Sequence, residues 1–135
     1  MAGRNAGVLE VTLAGWAATI GLIVLLFALD LFVSASRTES FGLAIVEAMA
    51  SGLAVVATAT EGARESVEDG ASGLLVPVGD VEALAHGIAR LLEDTHARDA
   101  LGRRARRLAH ERFSLEHMVS ATEQVYKEAL ASMRG

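Results

Sequence analysis

Three short apolar runs punctuate the chain: Leu31-Phe32-Val33, Ala54-Val55-Val56-Ala57 and Leu74-Leu75-Val76. Each is too short for a helix and is rich in β-branched or bulky aliphatic residues, the composition of a strand. Strands that read as continuous apolar runs are buried on both faces. Strands separated by helical stretches pair in parallel through crossover connections. The pattern confines the chain to an α/β fold, a parallel sheet with flanking helices.

The segments between and after the strands have helical spacing. Residues 42–51 read as a helix, with Ser40 as its expected N-cap and Gly52 at its C-terminal stop. Residues 62–67 read as a short helix or turn, and residues 69–73 carry the Asp-Gly-Ala-Ser-Gly chemistry of a turn. Asp80 is the expected N-cap of a helix whose apolar stripe is Val81, Leu84, Ala85, Ile88, Leu91 and Leu92. The next helix puts Leu101, Ala105 and Leu108 on one face and Arg103, Arg106, Arg107 and His110 on the other. A last helix starts near Ser114, with Leu115, Met118, Val119, Thr122, Val125, Tyr126, Ala129, Leu130 and Met133 along its apolar side. The chain is thus expected to end in three helices, and it has neither an internal repeat nor a low-complexity linker.

The front of the chain admits two readings. From residue 11 to residue 29 there is no charged side chain. At roughly 1.5 Å per residue that stretch spans about 28 Å as a helix, close to a bilayer core of about 30 Å. Arg4 ahead of it and the small residues Ser34, Ala35 and Ser36 behind it also mimic a secretory signal. The preferred reading is a strand at residues 8–13, a turn at Gly15-Trp16 and a buried helix at residues 17–29. Gly15, Gly21, Thr12 and Thr19 dilute the run, and the apolar pattern continues past Asp30 into a strand.

Composition narrows the chemistry. With 52% apolar residues the chain has material for a core, so global disorder is excluded. A net charge of −5 and a lone Trp16 without an aromatic ladder speak against nucleic acid as a partner. The absence of cysteine rules out disulfides, thiolate metal sites and a cysteine nucleophile, and it fits a reducing, cytoplasmic setting. His86, His96, His110 and His117 have no metal-ligand spacing, and Ser34, Ser36 and Ser40 lie in no nucleophile-elbow pattern.

The segment that carries chemistry runs from Ser36 to Gly52. A strand ends, a polar loop follows, and a helix starts at Gly42. A helix start offers free N–H groups and about half a positive charge, which is a ready phosphate site. Open α/β sheets bind ligands at the carboxyl ends of their strands. Glu39 in the loop is placed to reach over the helix start, and Glu47 lies in the second turn. A carboxylate accepts hydrogen bonds well from vicinal hydroxyls. Hydroxyls at either end of a diphosphate describe a sugar-nucleotide.

This segment resembles the acid–seven residues–acid motif of glycosyltransferase family 4. The resemblance continues in order: Gly52-Leu53-Ala54-Val55-Val56-Ala57-Thr58, Glu61-Gly62-Ala63-Arg64-Glu65, Asp69-Gly70, Gly73-Leu74-Leu75-Val76, Gly79-Asp80 and Arg112-Phe113-Ser114. It extends over about residues 8–130, and the ordered series is far more specific than the acid pair alone. It implies the donor-binding, C-terminal part of a GT-B enzyme with a partial Rossmann-like sheet. Such an enzyme transfers a hexosyl group with retention, without a metal or other cofactor. Glu39 matches the catalytic acid that contacts the donor sugar. Phe41, Gly42 and Leu43 match the backbone contact to the diphosphate, and Glu47 matches the acid that holds the ribose hydroxyls. The expected partner is a UDP-, GDP- or ADP-linked sugar.

Some features depart from the family pattern. Glu61 replaces the first of two glycines, Ala54 replaces a proline, and the helix before Asp30 is uncharged. The Arg and Lys that neutralise the diphosphate, and the acceptor lobe, belong to a region upstream of the match. Residues 1–135 are therefore expected to be an incomplete donor domain, inactive alone, that pairs with a missing N-terminal lobe or with itself. The competing reading is a membrane-associated or self-associating module with a relic motif. Glu65 is a further acid that either caps its helix or contacts donor, Arg37 is a loop arginine near the phosphate site, and the Arg103, Arg106 and Arg107 face suits either solvent or anionic lipid.

Overall fold

The computed structural model describes residues 29–133. The strand expected at residues 8–13, the turn at Gly15-Trp16 and the uncharged stretch at residues 11–29, except its last residue, lie outside the described residues. Among the described residues no helix is long and apolar enough to cross a membrane.

The order of elements is β1 (Leu31–Ser34), α1 (Leu43–Ala50), β2 (Ala54–Thr58), α2 (Glu61–Ser66), β3 (Leu74–Val76), α3 (Val81–Glu93), α4 (Thr95–Phe113) and α5 (Leu115–Ser132). The strands form one sheet in the order β1-β2-β3. Both pairings are parallel, with Ser34 beside Ala57 and Thr58 beside Val76 at the carboxyl ends. This is the α/β arrangement expected from the spacing of the apolar runs.

All five residues of β2 are buried, because both faces of the strand are covered. On one face Ala54 and Val56 join Leu91 and Leu101, with Leu31, Leu74, Leu84, Ile88 and Ala97 packed around them. Leu84, Ile88 and Leu91 come from the predicted stripe of α3, so the helical period reports its buried side correctly. Val81, Ala85 and Leu92 of the same stripe are exposed. In α1, Ile45, Val46, Ala48 and Met49 face the core, leaving Leu43, Ala44 and Glu47 outside. In α4, Leu101, Ala105 and Leu108 are buried as expected, and Arg103, Arg106, Arg107 and His110 are exposed.

Caps fix most helix ends. Asp80, Asp94 and Ser114 each accept a hydrogen bond from the amide three residues on, starting α3, α4 and α5. At the end of α1 the Gly52 amide donates to the Met49 carbonyl and the Leu53 amide to the Ala48 carbonyl, both near 3 Å. That is a Schellman stop at the glycine where one was expected.

The last helix differs from expectation. None of its residues is buried, and Leu115, Met118, Val125, Tyr126, Leu130 and Met133 are all more than half exposed. The stripe is present in the pattern, but the described residues leave it unburied. Amphipathicity marks a face that can be buried; it does not name what buries it.

Candidate functional site

The loops after β1 and β2 and the start of α1 meet at the carboxyl end of the sheet. Thr58, the last residue of β2, is 5% exposed and locks the loop after β1 in place. Its hydroxyl donates to the Ser36 carbonyl in a short hydrogen bond and stands 3.4 Å from the Ser34 carbonyl. Further along the loop, the Gly62 amide donates to the Glu39 carbonyl at 2.9 Å. The Ser66 hydroxyl donates to the Gly62 carbonyl at 3.0 Å and lies 3.4 Å from the Phe41 carbonyl. The loop from residue 36 to residue 41 is thus seated on β2 and α2, rigid elements with buried interiors.

Gly42 sets how the chain enters α1. Its φ of 73° and ψ of 46° are left-handed, a conformation that only glycine adopts readily. It is the N-cap of the helix, and no side chain caps that end. The expected cap, Ser40, is exposed in the loop, two residues too early. The left-handed turn at Gly42 redirects the chain after Ser40, so the serine never faces the first-turn amides. The Gly42 carbonyl instead accepts from the Ile45 and Val46 amides at 2.9 and 3.1 Å. The amides at the very start of α1 are left for an outside acceptor.

The Glu39 side chain lies over this helix start. A β-carbon built on Gly42 would stand 3.6 Å from both the carboxyl carbon and Oε2 of Glu39. Oε2 is buried and has no hydrogen-bond partner. A buried carboxylate oxygen without a donor is costly by about 1–3 kcal/mol or more. Here the positive end of the α1 dipole offsets part of that cost. The arrangement presents an acceptor oxygen and open amide donors within one small region.

Phe41 and Leu43, on either side of Gly42, are exposed, and Glu47 lies one turn after Leu43 on the same exposed face of α1. Glu39, Phe41, Gly42, Leu43 and Glu47 therefore share the loop–helix junction and the outer face of one helix. Arg37 sits apart from them. With Ala35, Thr58, Gly79, Asp80, Val81 and Leu84 it lines a depression of about 210 Å³ on the α3 side of the sheet's carboxyl end. Glu65 is exposed on α2, and the α2 cap is Thr60, whose hydroxyl accepts from the Ala63 amide at 3.3 Å. A larger depression of about 670 Å³ runs past His86, Arg90 and Asp94 and shares no residue with the junction.

Three residues matter to this geometry through contacts that local sequence pattern does not report. They are Thr58, Ser66 and Phe113, whose ring meets that of Phe41 edge-on with centroids 5.9 Å apart. The Glu61 departure is explained by position. Glu61 is exposed at the start of α2, whereas Gly62 is the residue pressed against the loop, so only the second glycine is sterically required.

Known proteins share this fold. The Glycosyl transferases group 1 family pattern matches residues 10–108. A D-inositol 3-phosphate glycosyltransferase of Saccharomonospora viridis is 42% identical over 108 residues, covering 80% of this chain and 25% of that protein. Sucrose-phosphate synthase from Thermosynechococcus elongatus superposes with a TM-score of 0.72 at 36% identity, covering 78% of this chain and 26% of that one. The HepE protein of Anabaena, solved in complex with UDP and glucose, superposes with a TM-score of 0.67 at 38% identity, covering 80% and 29%. The chain spans about a quarter of the length of the curated relatives it matches. By its sequence pattern and its fold, the chain belongs to the glycosyl transferases group 1 family.

Proposed function

We propose that the junction of the β1 loop with α1 binds the nucleotide-sugar donor of a retaining, GT-B-type glycosyltransferase. The observation that carries this reading is the buried, unpartnered Oε2 of Glu39 beside the uncapped start of α1. An acceptor oxygen without a donor invites a hydroxyl, and open helix amides invite an anion. A sugar joined to a diphosphate supplies both. In this reading Glu39 holds a donor-sugar hydroxyl and steadies the sugar as its bond to the diphosphate lengthens. The backbone at Phe41, Gly42 and Leu43 receives the diphosphate, and Glu47 accepts from the ribose hydroxyls.

The complexes of the similar HepE protein with UDP and glucose support a nucleotide-sugar as the ligand class. UDP-, GDP- and ADP-linked donors all satisfy the contacts proposed here, which touch sugar, diphosphate and ribose but not the base. The roles assigned to these residues call for no metal or cofactor. The chain matches only about a quarter of its relatives' length, and the contacts proposed here include neither an acceptor site nor a cation for the leaving diphosphate.

The test is ligand-observed NMR of the purified chain with UDP, GDP and ADP. Nucleotide binding that is lost in Glu47→Ala is the expected result. A folded chain that binds none of the three, or binds equally well without Glu47, overturns the assignment of this junction as a donor site.

A further inference from the structure

We propose that Phe113, at the end of α4, is a positioning residue for the donor site, acting through the ring of Phe41. This inference rests on the donor reading above for its functional consequence, but its structural half stands apart from it. Phe41 is the residue just before Gly42, and its backbone is fixed from below by Gly62 and Ser66. Its side chain is 47% exposed, so burial in the core does not hold it. What the ring meets is Phe113, at an interplanar angle of 86° and a centroid distance of 5.9 Å. Edge-to-face geometry of this kind is directional, because the positive ring edge seeks the negative face.

Phe113 is in turn held in place by its neighbours. Arg112 donates to Oε1 of Glu68 at 2.8 Å, and Arg104 to Oε2 of the same carboxylate at 3.4 Å. Both carboxylate oxygens of Glu68 are thus taken by arginines of α4, which ties the end of that helix to the loop before β3. Ser114 then caps α5, so the chain turns away directly after the ring. The contact joins residues far apart in sequence at the point where α4 ends. It orients Phe41 and, through it, the backbone on which the diphosphate is to rest.

A residue that merely fills space would be served by any apolar side chain of similar size. A residue that orients Phe41 by edge-to-face contact needs an aromatic ring, and its effect must vanish once Phe41 loses its own ring. The experiment uses Phe113→Leu, Phe113→Tyr, Phe41→Ala and the double variant Phe41→Ala/Phe113→Leu. Each is followed by ¹⁵N relaxation of the amides of residues 40–43, by melting temperature, and by affinity for UDP, GDP and ADP. Phe113→Leu should loosen those amides and weaken binding of whichever nucleotide binds by about fivefold. Phe113→Tyr should restore both, and Phe113→Leu should add nothing in the Phe41→Ala background. The proposal is overturned if Phe113→Leu changes only the melting temperature, or if it acts equally with and without the Phe41 ring. If the wild-type chain binds none of the nucleotides, the donor reading fails, and the relaxation of residues 40–43 alone decides whether Phe113 positions the loop.

Discussion

A β-carbon on Gly62 would lie 2.6 Å from the carbonyl carbon of Phe41, so the floor of the candidate donor loop is a close contact between these two residues. Nothing larger than hydrogen fits there without lifting the loop. The Gly62 amide also donates to the Glu39 carbonyl, so a shift at this point moves the loop's acid as well. Gly62→Ala is expected to destabilise the chain by about 1–3 kcal/mol, the usual cost of forcing an extra methyl into a packed site. It should weaken nucleotide binding far more than Glu61→Ala, because Glu61 is exposed. Thermal melts and NMR titrations of the two variants, side by side, check this. Equal binding by Gly62→Ala and wild type would place the ligand elsewhere.

Gly42 makes a different demand. Its left-handed φ would cost another residue about 1–2 kcal/mol. A β-carbon would also press to 3.2 Å from Cδ1 of Ile45, a fully buried core residue. Gly42→Asn should be tolerated better than Gly42→Val, since asparagine visits the left-handed region and β-branched residues do not. The melting temperatures should fall in the order wild type, Asn, Val. The reverse order for the two variants would show that the side-chain clash, and not the backbone, governs this position.

Much of this fold was legible in the chain because its signals are local. The runs at β1, β2 and β3 match the observed strands to within a residue. Gly52 ends α1, and Asp80 and Ser114 start their helices, because capping is settled by the few residues around each terminus. The failures are equally physical. Ser40 has the chemistry of a cap, but the left-handed Gly42 takes the position, and backbone direction outranks side-chain preference. The placement of Glu39 and Gly42 at the start of α1 followed from the resemblance and the logic of a helix start. The Thr58 lock, the Ser66 support and the Phe41–Phe113 pair were not found, because each joins residues more than twenty positions apart. Spacing along a chain does not report which distant side chain arrives.

The two acids can be told apart by ligand. Glu47 is assigned to the ribose, so Glu47→Gln should weaken UDP, GDP or ADP and the corresponding sugar-nucleotide alike, by roughly tenfold for the loss of one charge-assisted hydrogen bond. Glu39 is assigned to the donor sugar. Glu39→Gln should leave affinity for the bare nucleotide within about twofold and act only when the sugar is attached. Titrating both variants with a nucleotide and with its glucose conjugate gives four affinities. A Glu39→Gln variant that weakens both ligands equally would move that acid off the sugar.

The exposed stripe of α5 makes the last prediction. An apolar residue in the core costs about 2–5 kcal/mol when cut to alanine, through lost burial and the cavity left behind. Leu108, at 2% exposure in α4, belongs to that class. Leu130, at 56% exposure in α5, does not, although the helical pattern treats the two alike. Substitutions on surfaces away from packed features usually stay within about 0.5 kcal/mol. Val125→Glu and Leu130→Glu should therefore leave the melting curve of this chain almost unchanged, while Leu108→Ala lowers it by several degrees. Unfolding by urea of the three variants decides the matter. A loss of more than about 2 kcal/mol in Leu130→Glu would mean that α5 is covered in solution by something the described residues do not contain. Its apolar stripe would then be an interface of the folded chain.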